Sequence, residues 1–169
     1  MPRELPRPMV YLDGSVIRAA LTEDMRPRDR VALCRIAAMV SENVLTFFAS
    51  ADARAEIDRA APAARRQHPR EYAALELLRS APVGWIDAES RVASAAEEVG
   101  FNVLLRITGS ETDAVLLSRA RLAGARDVIA AESSVLLEQA RELARELDLR
   151  VFRPADYLSR WSTQLQLPK

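Results

Sequence analysis

Acidic side chains stand where short apolar runs of this sequence give way to helical patterns. Asp13 closes the run Met9-Val10-Tyr11-Leu12, and Glu56 falls early in the helical stretch after a second run. Asp113 opens a later helical stretch, and Glu132 directly follows the run from Asp127 to Ala131. In open parallel α/β sheets the working crevice lies outside the carboxyl ends of the strands, so residues at these points are the first candidates for chemistry. Carboxylates converging there from separate segments repel one another and hold their protons more tightly unless a cation sits among them. Such hard oxygen donors suit Mg²⁺ or Mn²⁺, whereas zinc favours histidine and cysteine, of which this chain has only His68 and Cys34.

The elements that must position these acids are read from periodicity. Short β-branched and aromatic runs alternate with longer stretches of 3.6-residue period, which predicts a three-layer α/β/α fold with a central, mainly parallel sheet of four to five strands. Strands are expected at Met9–Leu12, Val44–Ala49, Val83–Ile86, Asp127–Ala131 and Arg150–Arg153. Helices are expected around Val16–Leu21 and over Asp29–Ser41, where Leu33, Ile36, Ala37 and Val40 share a face. Ser50 suits an N-cap, Pro62 limits the helix that follows it, and Pro69 suits the first position of a helix running to Ser80. Arg91–Val99 reads as a helix stopped by Gly100, and Phe101–Ile107 as a strand or a packed irregular connection. Helices over Glu111–Ala123, closed by Gly124, and over Ser134–Leu147 complete the pattern, with a closing turn of helix after Pro154.

Length and composition bound the rest. A chain of 169 residues with 49% hydrophobic content is expected to form one domain with a real core, residues 1–169. No apolar run approaches the roughly 18 residues of a membrane span, and nothing near Arg3 and Arg7 reads as an export signal, so a cytoplasmic protein with no membrane partner is expected. Cys34 sits in a helical pattern among Val31, Leu33 and Ile36 and is expected to be a buried thiol. Acidic and basic residues balance at 24 each, so net charge makes no case for nucleic acid. The only lysine is Lys169, at the chain terminus. Aspartyl-nucleophile phosphatases and receiver domains, which need an internal lysine, are disfavoured, as are nucleotide-binding loops, because the five glycines are isolated.

The order Val10-Tyr11-Leu12-Asp13-Gly14-Ser15, Ala55-Glu56-Ile57, Asp113-Ala114-Val115-Leu116-Leu117, Ala123-Gly124-Ala125 and Val128-Ile129 resembles PIN domains, including the toxin ribonucleases of bacterial toxin–antitoxin pairs. The closing Phe152-Arg153-Pro154-Ala155-Asp156-Tyr157-Leu158 is similar to the family's last strand and helix, so the resemblance spans almost the whole chain. It implies a metal-dependent endoribonuclease in which Asp13, Glu56 and Asp113 bind Mg²⁺ or Mn²⁺, Glu132 adds a fourth carboxylate, and Ser15 supports the site. The partners it implies are RNA, an antitoxin protein and a second copy of the chain in a homodimer.

The chain departs from the family after the fourth strand, where Ala130-Ala131-Glu132 replaces a hydroxyl residue, a variable residue and Asp. That departure motivates the alternative of a catalytically impaired PIN-like RNA-binding or scaffold protein. Each acid also has an ordinary reading. Asp13 suits an N-cap and Asp113 a favourable charge in a first helical turn; Glu56 suits a surface pair with Arg59, and Glu132 an idle helix start. The basic run Arg65-Arg66-Gln67-His68-Pro69-Arg70 reads first as a solvated loop and second as a track for phosphates, while Trp85 and Trp161 read as core or near-core residues.

Overall fold

Alternation along the strands explains how one sheet serves two cores. Val10 and Leu12 of β1 (Met9–Leu12) and Phe47 and Ala49 of β2 (Thr46–Ser50) point to one face. Tyr11, Phe48 and Val128 point to the other. With both faces apolar, the strands must be covered on both sides, which is the condition under which a parallel sheet is stable. The computed structural model describes residues 7–22, 24–60, 62–81, 84–87 and 95–165. Its five strands, completed by β3 (Gly84–Ile86), β4 (Asp127–Ile129) and β5 (Arg150–Phe152), form one sheet in the order β3-β2-β1-β4-β5. All neighbours are parallel, with Leu12 level with Ala49 on one side and Ile129 on the other. The chain moves outward from β1 through β2 to β3, then crosses back to β4 and β5. The carboxyl ends of β1 and β4 therefore flank the point where the strand order reverses.

One face is covered by α1 (Gly14–Ala20), α2 (Pro27–Ser41), α3 (Ala51–Asp58), α5 (Pro69–Ser80) and α10 (Pro154–Leu165). The other carries α6 (Ala95–Thr108), α7 (Glu111–Leu122) and the pair α8 (Val135–Glu138) and α9 (Ala140–Leu147). The architecture is thus three-layered α/β/α, as the periodicity predicts. Fully buried Leu33, Leu75 and Leu78 on the first face and Leu104, Leu117 and Leu143 on the second anchor the layers. Each such side chain is worth roughly 1.5–3 kcal/mol of burial. Ser50 caps α3 by accepting from Ala53 N at 3.0 Å, and α5 begins at Pro69 as expected. Trp85 and Trp161 pack partly buried against the first core, Trp85 edge-on to Phe47 at 6.2 Å between ring centroids. Among the described residues, no helix is long and apolar enough to cross a membrane.

Four elements differ from their sequence reading. Phe101–Ile107 is neither strand nor connection: α6 runs through Gly100 to Thr108, burying Gly100, Leu104 and Ile107 while Asn102 and Arg106 face outward. The helix stops instead at Gly109, whose φ of 66° is the left-handed value a C-terminal glycine supplies and whose N–H bonds Leu105 O at 2.8 Å. Gly100 has no such backbone and lies in mid-helix facing α7, where a Cβ would make only ordinary contact, 3.4 Å from Ser118 Oγ. The expected start of that helix at Arg91, like Val83 at the start of β3, lies outside the described residues. The stretch after Ser134 is two helices, because the backbone opens at Gln139 (φ −96°, ψ 6°), and the two pieces aim Leu136 and Leu143 into the same core. The segment after Pro154 is a full helix packed on α2, its Ala155 N–H donating to Asp29 Oδ1 at 3.0 Å. Residues 62–67 are helical (α4, Pro62–Gln67) where a loop is expected.

Cys34 is only partly buried, on the α2–α5 seam, with Sγ 3.7 Å from Arg70 O. Burial, and then the charge of Glu71, push its thiol above the ordinary value, which leaves it a poor nucleophile. Two glycines test the packing with opposite signs. An added Cβ at Gly84 would sit 2.3 Å from the Phe48 ring of the neighbouring strand. Gly84→Ala is expected to cost about 1–3 kcal/mol in urea denaturation. Gly100→Ala, in mid-helix with ordinary contacts, is expected to be neutral or to stabilise by up to about 1 kcal/mol. Destabilisation by Gly100→Ala would contradict the continuous α6.

Candidate functional site

At the carboxyl end of β1 the chain turns directly from strand into helix, and Asp13 is the residue that makes the turn. It N-caps α1, with Oδ2 accepting from Ser15 N at 3.2 Å, while its own N–H bonds Ile129 O of β4 at 2.9 Å. Ser134, the N-cap of α8, donates its hydroxyl to the same Oδ2 at 3.4 Å. Both contacts fall on one oxygen, so Oδ1 has no hydrogen-bond partner among the described residues. Ser15 Oγ accepts from Ala131 N at 3.0 Å and so braces the exit of β4 against the start of α1. Asp13 and Ser15 are 8% and 6% exposed, which makes both part of the fold's framework as well as its edge.

Asp113 arrives from the opposite layer. It lies in the first turn of α7, capped by Ser110, whose Oγ accepts from Asp113 N at 3.2 Å. Desolvation first and the charge of Asp13 second raise the Asp113 carboxyl above its usual range; Ser110 and Arg18 pull it down and do not prevail. The same two acids, after burial, raise the hydroxyl of Tyr11, which lies buried in β1 on the α7 side of the sheet. Asp13 and Asp113 thus form an electrostatic pair across the end of β1, two of the acids expected to converge.

Glu56, expected early in its helix, instead lies in the last turn of α3 (Ala51–Asp58) and reaches toward this edge only through an intermediary. Arg18, the exposed residue of α1, places Nη1 3.4 Å from Glu56 Oε1 and only 3.1 Å from where a Cβ on Gly14 would lie. Its guanidinium therefore rests over the first turn of α1, near enough to lower the Asp113 carboxyl. Glu132 is directed elsewhere. Its Oε1 accepts from Arg26 and from Arg153, the latter at 3.4 Å, in a narrow cleft also lined by Asp24, Asp29 and Ser133. The expected pair of Glu56 with Arg59 is replaced by the pair with Arg18, and Glu132 is engaged by two arginines where an idle helix start was the ordinary reading.

No family model, curated protein or solved structure matches the chain. The chemistry of the edge is read from its own donors. Among the described residues no three His, Cys, Asp or Glu side chains form a ready metal cage. The Asp13–Asp113 pair nonetheless suits a hard cation: it offers an unpartnered carboxylate oxygen and a second carboxyl whose charge is poorly compensated. Mg²⁺ is commonly held by one or two carboxylates with water filling the remaining positions. Asp13 and Asp113 would hold such an ion, while Glu56 is paired with Arg18.

Sequence reasoning does not identify Tyr11, Arg18 or Ser134 as parts of this edge. Tyr11 and Arg18 lie two residues before and five after Asp13, and the signal available was their helical or strand phase relative to it. Ser134 supplies, two positions after Glu132, a hydroxyl to Asp13 that the Ala130-Ala131-Glu132 sequence lacks. The basic run at 65–70 is largely committed. Arg65 lies over the Tyr72 ring at 4.6 Å, donates to Tyr72 Oη at 2.7 Å and pairs with Glu76 at 3.7 Å. His68 does not cap α5 through its side chain; its Nδ1 faces Arg30 Nη1 at 3.4 Å.

The raised Asp113 carboxyl has a consequence for stability. The folded chain binds this proton more tightly than the unfolded chain, so the ionised group detracts from stability. That penalty is absent below the ordinary Asp value of 3.8, develops as pH rises to the raised value, and persists above it. Asp113→Asn is expected to raise the melting temperature at pH 7 in EDTA by about 1–3 °C, a gain that disappears as pH falls below about 4. A lower melting temperature for the variant at pH 7 would show that Asp113 acts only as a favourable charge at the start of α7.

Proposed function

We propose that the protein is a metal-dependent endoribonuclease of PIN type, hydrolysing RNA phosphodiester bonds at the carboxyl ends of β1 and β4. The observation that carries this reading is the coupling of Asp13 and Asp113. Two carboxylates from opposite layers face each other electrostatically where the strand order reverses, and the second holds its proton more tightly than usual, first because it is desolvated and second because of the charge of the first. Such an arrangement is costly without a cation, and it occupies the positions at which the resemblance to PIN domains expects metal ligands. A divalent ion supplies Lewis acidity there, making a water more acidic and offsetting charge on the phosphate.

The chain's own residues would set up that chemistry. Ser15 N and the Ser134 hydroxyl fix one oxygen of Asp13, leaving the other free to bind. Ser110 caps the first turn of α7, in which Asp113 lies, by accepting from Asp113 N. Ser15 Oγ, accepting from Ala131 N, ties the start of α1 to the exit of β4. RNA, in preference to DNA, is expected from the resemblance, as are an antitoxin protein or a second copy of the chain as partners.

A second reading is favoured by one observation. Glu132, the fourth acid of the resemblance, is bound by Arg26 and Arg153 and directed away from Asp13. On that reading the edge binds RNA or a protein partner without cutting it. Incubation of the purified protein with a mixed RNA pool and Mn²⁺ or Mg²⁺ separates the two. The nuclease reading expects cleavage that EDTA abolishes and that Asp13→Asn or Asp113→Asn reduces by about 100-fold or more. Cleavage unchanged in both variants would overturn the site, and absence of cleavage in the wild type would favour the binding module.

A further inference from the structure

Arg18 is the feature of this edge that neither the resemblance nor the acid pair explains. It is the residue of α1 that faces outward, among Val16, Ile17, Ala19 and Ala20, all buried, so nothing about packing the helix requires a cation at that position. Its guanidinium nevertheless turns back along the helix and settles over Gly14, 3.1 Å from the position a Cβ would take. There it pairs with Glu56 at 3.4 Å and stands within electrostatic reach of Asp113. A side chain 60% exposed gives up considerable freedom to hold one geometry. The geometry is permitted by Gly14, because any larger residue there would press on Nη1.

We infer that Arg18 is a built-in counter-cation of the acidic edge, competing from its place over Gly14 with a divalent ion held by Asp13 and Asp113. The inference rests on the metal-binding reading proposed above and adds to it a competition between two cations, one carried by the chain and one from solution. The pair is solvent-exposed on the arginine side, and such pairs are worth roughly 0.2–1 kcal/mol. Arg18 therefore holds Glu56 loosely enough to be displaced and firmly enough to be felt. Once released, its guanidinium would be available to the phosphate oxygens of a bound strand, an anion that arginine grips with paired N–H groups.

Direct Mn²⁺ titration of the metal-free protein, followed by electron paramagnetic resonance of the free ion, tests this without relying on turnover. Arg18→Gln removes the counter-cation and is expected to tighten Mn²⁺ binding by about two- to fivefold, the range an exposed ion pair allows. Gly14→Ala keeps the arginine but crowds its resting place, and is expected to tighten binding in the same direction by less. Asp13→Asn is expected to lose binding. Arg18→Gln binding Mn²⁺ no tighter than the wild type, while Asp13→Asn still loses it, would overturn the role of Arg18 and leave the metal site standing. Failure of the wild type and Arg18→Gln alike to bind Mn²⁺ would overturn the metal reading, and the competition with it.

Discussion

A buried carboxylate on the central strand of a parallel sheet constrains everything built around it. Asp13 caps α1 through its side-chain oxygen, and its position fixes β1, α1 and the entry to α8 relative to one another through Ser15, Ile129 and Ser134. The framework supplies Oδ2 with two donors and leaves Oδ1 facing the edge. Placing a second acid, Asp113, within reach of that charge raises the energy of the site, and two favourable contacts fail to remove the cost. Structural acids are usually arranged to lower such costs, and a retained one is the kind of perturbation on which the proposed metal-binding role rests.

The topology explains why the cost falls where it does. With β1 in the middle and β2 and β4 as its neighbours, the helices leaving β1 and β2 pack on one face while α7, leading into β4, packs on the other. Their first turns are therefore brought to the same edge from opposite layers. Asp13 leaves β1 and Asp113 starts α7, whereas Glu56 lies in the last turn of α3. Glu132, immediately after β4, shares that edge in height but not in direction: the approach of the α2 entry and the β5 exit brings Arg26 and Arg153 to it. Among the described residues, Arg26 and Arg153 engage Glu132 on one side of the rim, and Arg18 reaches over the first turn of α1 on the other.

Much of this was legible in the residues. Alternating apolar patterns located five parallel strands, the caps at Ser50 and Asp13 are local chemistry, and the position of an acid after a strand follows from the fold class. What was not legible depended on partners distant in the chain. Gly100 and Gly109 look alike as punctuation, and only the packing of α6 on α7 decides that the first is a contact point and the second a terminus. Phe101–Ile107 has strand-like composition, yet its burial repeats every three to four residues once α7 lies against it. Glu56 and Glu132 are equally acidic in sequence, and the arginines that separate their fates come from residues 18, 26 and 153.

The coupling between Asp13 and Asp113 is the claim on which the rest depends, and carbon-detected NMR titration of the Asp113 side chain measures it directly. In the metal-free wild type the carboxyl is expected to titrate above the ordinary Asp range, and in Asp13→Asn to fall back part of the way, the remainder being the effect of burial. An Asp113 carboxyl that titrates at its ordinary value, or that is unmoved by loss of the Asp13 charge, would contradict the account.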